Sequence, residues 1–257
     1  VVIGGPLETA LVAQLGRGPG ARLSQVVVRA LAWWVDVPSD LRKGDRLDVL
    51  FEERPGEEPV VHALRFQSGK LGKTFRAYRY KPAGAAYARL FQATGDEIEL
   101  RLDGAPLDDY EQITSLLRDG RGHKGVDFKT PTGTEVKAPF DGIVSRRNWN
   151  VRLNGNSLEV RESGGTRTAL FLHLSEIPPE MRPGEKVARG QVIALTGNTG
   201  HSFAPHLHYQ LQSGETVLDP FQSHQTSRKS LAPTEKPALD AEAQRFEGLL
   251  DAPENGA

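Results

Sequence analysis

The chain opens on an apolar period of four. Leu7, Leu11 and Leu15 follow Pro6, a residue suited to a first helical position, and predict a helix. Gly16 to Gly20, with Pro19 inside, predicts a break. A second helix is expected from Ala21, with Leu23, Val27, Leu31 and Trp34 on one stripe. Residues 1–35 therefore read as a helical pair that buries its stripes on the next segment of the chain. From Arg46 to Asp103 the period changes to two. Leu47, Val49 and Phe51 alternate with polar neighbours. Turn signals at Pro55-Gly56, Ser68-Gly69, Pro82 to Gly84 and Thr94-Gly95 separate Val60 to Gln67, Leu71 to Tyr80, Ala86 to Gln92 and Glu97 to Asp103. That pattern predicts a run of antiparallel hairpins.

Residues 104–122, rich in Gly, Asp and Arg, read as a connector. From His123 to about Ser223 short strands return. Ala138 to Val144 is one, Leu158 to Arg161 and Thr166 to Leu174 flank Gly164-Gly165, and Lys186 to Leu195 comes next. Ala204 to Leu211 alternates cleanly: His206, His208 and Gln210 fall on one face, Leu207, Tyr209 and Leu211 on the other. After His224 the chain turns polar. Thr226 to Pro237 reads as a strap, and Ala238 to Leu250 as an amphipathic helix carrying Leu239, Phe246, Leu249 and Leu250, either docked on the N-terminal region or mobile. The expected fold class is mainly β with a small α contribution (α+β). A helical and β-hairpin domain (1–110) precedes an antiparallel β domain (111–223), and a polar linker with a C-terminal helix (224–257) ends the chain.

Composition narrows the function classes. A net charge of -1 gives no electrostatic argument for a nucleic-acid partner. No apolar run is long enough to cross a bilayer. The absence of cysteine excludes disulfides and thiol chemistry, so any metal must be held by His, Asp or Glu. The chain begins at Val1 with no signal peptide, and is read as a processed or truncated product.

Histidine placement carries the chemistry. His123 and Asp127 stand four apart across a Gly-containing bend, His173 lies in Leu170-Phe-Leu-His-Leu-Ser on the face of Phe171, and His206-Leu-His208 comes last. Each alone has a plain structural reading: a surface pair, a satisfied core histidine, an ordinary strand. Together they gather four of the seven histidines and one aspartate in a single β domain. A catalytic zinc wants three protein ligands and one open position. Five groups for three places leave two imidazoles for proton transfer and oxyanion stabilisation. His62 and His201 receive no site role.

These motifs in this order, with Gly197-Asn-Thr-Gly-His-Ser-Phe-Ala-Pro-His-Leu-His, resemble the lysostaphin or LytM-type zinc metallopeptidases from about Gly122 to Pro220. Trp33-Trp-Val-Asp-Val, Leu41-Arg-Lys-Gly-Asp-Arg-Leu, Ala77-Tyr-Arg-Tyr and Ile113-Thr-Ser are similar to the domain preceding the peptidase in Gram-negative murein DD-endopeptidases. The resemblance implies His123, Asp127 and His208 as zinc ligands, and His206 and His173 as non-ligand catalytic histidines. His206 would act as base, and His173 would orient the water or stabilise the oxyanion. It implies Zn2+ as cofactor and peptidoglycan cross-link peptide as substrate, cut at a D-Ala–diamino acid bond by attack of a zinc-bound water. The implied location is the bacterial periplasm or cell envelope, with room for a regulatory or missing N-terminal segment. The alternative is a non-catalytic module that binds the cell wall and activates an amidase. A likeness to swinging-arm carrier domains extends only to the β framework. Ala204 and His201 stand where relatives often carry Gly and Arg, at the rim of the expected site.

Overall fold

In the computed structural model, which describes residues 1–117 and 122–252, helix α1 (Leu7–Leu15) and helix α2 (Arg17–Leu31) are separated by Gly16 alone. The break expected over Gly16 to Gly20 is thus shorter than its composition suggests. Pro19 stands in the first turn of α2, where a missing N–H leaves no intrahelical acceptor unsatisfied, and the Gly20 N–H already donates to Gly16 O at 3.0 Å. Gly20 lies where the helices cross: a Cβ there would sit 2.6 Å from Leu11 O and Val12 Cα. The first residues are extended, not helical. Val2 bridges Arg46, and the Ile3 N–H donates to Asp45 O at 2.8 Å.

Strands β1 (Arg46–Glu52), β2 (Val60–Ser68), β3 (Lys73–Tyr80) and β4 (Arg89–Phe91) form an antiparallel sheet in that order. Its two faces bury different partners. Leu47, Leu64, Phe66 and Ala77 pack with the α1 and α2 stripes, including Leu7, Leu11, Leu23, Val27 and Leu31. Ala63, Tyr78 and Phe91 pack with Leu239 and Phe246 of the last helix, Lys236–Asp251. Each fully buried Leu, Val or Phe among them contributes roughly 1.5–3 kcal/mol. Polar contacts fix the helix register: the Arg65 guanidinium reaches Glu247 (2.9 Å) and Asp251 (2.8 Å), and the Tyr78 O–H donates to Glu247 (2.7 Å). The last helix is docked.

The compact units are Val1–Leu100 with the segment from Arg228 onward, and Arg101–Ser227. The first ends at Leu100, where the sequence reading placed the boundary at 110, and it holds the last helix, docked on the N-terminal region as one of the two readings allowed. The reason is hydrogen bonding. Ile98 N–H still donates to Leu90 O of the first sheet, whereas β5 (Arg101–Leu102) pairs with β16 (Thr226–Ser227) of the second unit. Residues 118–121 of the expected connector and 253–257 of the expected tail lie outside the described residues.

In the second unit β6 (Gln112–Ser115), β7 (Val126–Lys129), β9 (Gly142–Arg147), β10 (Asn156–Glu162), β11 (Arg167–Leu174), β12 (Lys186–Val187) and β14 (His206–Ser213) run in the order β12-β9-β10-β11-β14-β7-β6. All their pairings are antiparallel, and β15 (Thr216–Leu218) joins the end of β14. A separate two-stranded sheet holds β8 (Glu135–Lys137) and β13 (Val192–Leu195). Lys186 to Leu195 holds two strands, β12 and β13, with a loop between them, and residues 138–141 form a loop ahead of β9. The two loops are held together by Ala138 N–H to Gln191 O and Arg189 N–H to Asp141 Oδ1. Leu207, Tyr209 and Leu211 are fully buried, so the opposite face of β14 carries His206 and His208, as its alternation predicts.

Candidate metal centre

The site stands on two neighbouring central strands. In the β14–β7 register His208 faces Asp127 directly, which brings the imidazole and carboxylate onto one face of the sheet. His123 arrives from the segment just before β7. His123 Nε2, Asp127 Oδ1 and His208 Nδ1 form a triangle with edges of 2.8, 3.0 and 3.2 Å. They compose the one metal-type group of three found among the described residues.

Hydrogen-bond partners assign the tautomers. His123 Nδ1 faces Leu116 O (3.2 Å) and Ser115 Oγ (2.9 Å). A carbonyl only accepts, so Nδ1 carries the proton and Nε2 presents its lone pair to the triangle. Gly125 makes room for the third corner: a Cβ there would lie 2.9 Å from His208 Nε2 and 2.5 Å from Tyr209 O. Burial alone would raise the Asp127 carboxyl, but the His123 and His208 imidazoles held against it outweigh that and keep it well below the usual carboxylate range.

The donors fit zinc. Bonds of about 2.0–2.1 Å at tetrahedral angles separate neighbouring ligand atoms by roughly 3.3 Å, close to the edges found. Three electron-rich atoms facing one another at this distance suit a cation among them, and two neutral imidazoles with one carboxylate leave it a net charge of +1.

Two further imidazoles border the triangle. His206 Nε2 lies 4.0 Å from Asp127 Oδ1. Its Nδ1–H donates to Ala204 O (2.8 Å), with Ser202 Oγ at 3.1 Å, leaving Nε2 as an acceptor. The His173 ring lies 4.7 Å from that of His206 and 6.3 Å from that of His208. This corrects the expectation that His173 shares the face of Phe171. Phe171 pairs with Tyr209 on the core face, and regular alternation would send His173 there too. His173 instead has φ +63, a left-handed conformation that turns its side chain to the histidine face. Such a residue costs on the order of 1–2 kcal/mol, and the Nδ1–H donation to Thr199 O at 2.9 Å helps to hold it. Burial pushes the His173 imidazole down to about 4, so it is neutral at neutral pH.

The remaining histidines play other parts. His62 pairs with Glu52 (3.4 Å) and lies 5.9 Å from the Phe246 ring, as a structural residue does. His201 is exposed on the rim, 5.2 Å from the ring of Phe203, which is 92% exposed. His224 Nε2 meets the Tyr209 hydroxyl at 2.7 Å. The supporting residues Ser115, Gly125 and Thr199 carry no signal of their own in the sequence. Each stands inside or beside one of the motifs, but its partner lies in a different segment.

The model of Peptidase family M23 matches residues 121–220, the span that holds all five groups. The peptidoglycan DD-endopeptidase ShyA of Vibrio cholerae is 32% identical over 76% of this chain and 46% of its own length. ShyB of the same organism, also named a peptidoglycan DD-endopeptidase, is 31% identical over 92% of this chain and 57% of its own. The crystal structure of a zinc-containing peptidase from Vibrio cholerae is 27% identical, covering 86% of this chain and 69% of that one with a TM-score of 0.41. The chain spans about half the length of the curated relatives it matches. M23 peptidases are zinc metallopeptidases, and the His-Asp-His triangle has the donor set for that metal. Residues 121–220 of the chain thus carry a Peptidase family M23 domain.

Proposed function

We propose that the protein is a zinc endopeptidase that hydrolyses peptide cross-links of peptidoglycan, at the bond between D-Ala and a diamino acid. Its place of work is then outside the cytoplasm, in the periplasm. The reading is carried by one observation: two further imidazoles, those of His206 and His173, stand beside the His123–Asp127–His208 triangle. In this reading His123, Asp127 and His208 hold zinc. Bound there, zinc supplies Lewis-acid activation and positive charge for an anionic transition state.

The chain's own groups do the rest. His206, its Nδ1–H tied to Ala204 O, accepts a proton at Nε2 from the attacking water. The same atom returns the proton to the departing amine as the peptide C–N bond breaks. His173 is neutral with its proton on Nδ1, so its Nε2 can only accept. That suits orienting the water better than donating to an oxyanion. Peptidoglycan as substrate is supported by the names of the Vibrio relatives. A non-catalytic, amidase-activating module would leave these five groups without a task.

Digestion of purified sacculi, with the released muropeptides identified by mass spectrometry, tests this reading. Cross-linked dimers are expected to fall and monomers with a free diamino-acid amine to rise. Dimers left unchanged by zinc-loaded protein would contradict it.

A further inference from the structure

Thr199 makes four hydrogen bonds around His173. Its carbonyl accepts from His173 Nδ1–H (2.9 Å), and its N–H donates to His173 O (3.4 Å). Its hydroxyl donates to Leu174 O (2.8 Å) and accepts from Asn156 N–H (2.9 Å). The ring, the main chain of His173 and the next peptide are thus gripped by one residue. The grip falls where it is needed, because the left-handed His173 lies where the β10–β11 register shifts, between the pairs Leu158–Phe171 and Asn156–Leu174.

The surroundings leave Thr199 little freedom. Gly155 packs against its backbone and side chain so closely that no Cβ fits there. Gly197 lies against the main chain of His173 to Ser175 with no room for a Cβ, and the Ser175 hydroxyl donates to Thr196 O at 2.7 Å. The segment 196–199 is therefore fastened along 173–175.

We propose that Thr199 is the positioning residue of His173, its hydroxyl fixing the carbonyl that orients the imidazole toward the metal centre. The hydroxyl never approaches the reacting atoms and acts through His173. The proposal rests on the catalytic reading of His173 given above. Thr199→Val keeps the shape, removes the hydroxyl, and leaves Leu174 O and the Asn156 N–H without their partner. Thr199→Ser keeps both bonds.

The test combines NMR of the His173 ring proton with steady-state kinetics on the zinc-loaded full chain. In the wild type the Nδ1–H of His173 is expected to exchange slowly with solvent. In Thr199→Val it exchanges fast, and kcat falls on the order of 10–100-fold at unchanged KM and zinc content. Thr199→Ser restores both signal and kcat. A purely structural Thr199 would lower the melting temperature and leave kcat of the folded enzyme unchanged, which would overturn the proposal. So would a rapidly exchanging His173 ring proton in the wild type, a measurement that decides even if Thr199→Val fails to fold. Should wild-type protein hydrolyse nothing, the functional reading fails, while the ring-proton comparison still judges the clamp.

Discussion

Gly125→Ala isolates the claim that this site is shaped for a metal. The glycine's backbone is not left-handed, so conformational strain is not the issue. The obstacle is space. A Cβ would lie 2.9 Å from His208 Cε1 and Nε2, so the ring must retreat by about half an ångström to reach ordinary contact. It would also lie 2.5 Å from Tyr209 O, main chain of a fully buried strand that cannot yield cheaply. Zinc sites tolerate departures of roughly 0.2 Å in ligand distance. Disturbing the atoms behind a ligand commonly costs 10–100-fold in metal affinity, about 1.4–2.7 kcal/mol. Crowding adds a fold-wide cost of about 1–3 kcal/mol. Competition for zinc against a chromophoric chelator measures the first effect, and thermal unfolding of metal-free protein measures the second. A variant that binds zinc within twofold of wild type would refute the reasoning.

Other expectations concern separate parts of the molecule. His206→Ala should keep its zinc and lose turnover by roughly 10²–10⁴-fold, whereas His208→Ala should lose both; zinc content and muropeptide release read the two outcomes. His224 is held neutral by burial, its imidazole lowered to about 4. The unfolded chain binds that proton first, near pH 6.5, so stability is lost as pH falls from about 6.5 to 4. Allowing for partial exposure, the loss is on the order of 1–2 kcal/mol, and His224→Gln should flatten the melting temperature against pH. Phe246→Ala empties a buried position of the last helix and should cost about 3–5 kcal/mol in the unfolding of the first unit. Zinc affinity measured on the same variant should not change.

How much can be read from the sequence depends on how local the cause is. His206 and His208 share a face because β14 is a regular strand, and alternation holds through it. The same rule fails at His173, where one left-handed residue reverses the face. Its ring is held there by Thr199, 26 residues further on, a contact that no periodicity reveals. Gly18-Pro19-Gly20 has the composition of a break, yet α2 runs through it because the one missing N–H, that of Pro19, would have no helical acceptor. The stripe of Leu239 and Phe246 announced a helix and left open whether it docks on the N-terminal region or stays mobile. It docks on a sheet some 180 residues earlier, tied on by Arg65 and Tyr78. The five candidate groups were legible because a cysteine-free chain leaves few residue types for a metal, while the choice of three among them came only with the family resemblance. Their supports were not legible, since Ser115, Gly125 and Thr199 are common residues whose value lies in what stands opposite them.

The central claim is that His123, Asp127 and His208 hold one zinc while His206 and His173 stay unbound beside it. Anomalous diffraction at the zinc edge, on crystals of protein purified without added metal, tests this most directly. The predicted result is a single zinc with two imidazole nitrogens and one carboxylate oxygen at about 2.0–2.2 Å, and neither His206 nor His173 within bonding distance. No zinc at the triangle, or a zinc bound by His206 or His173, would contradict it.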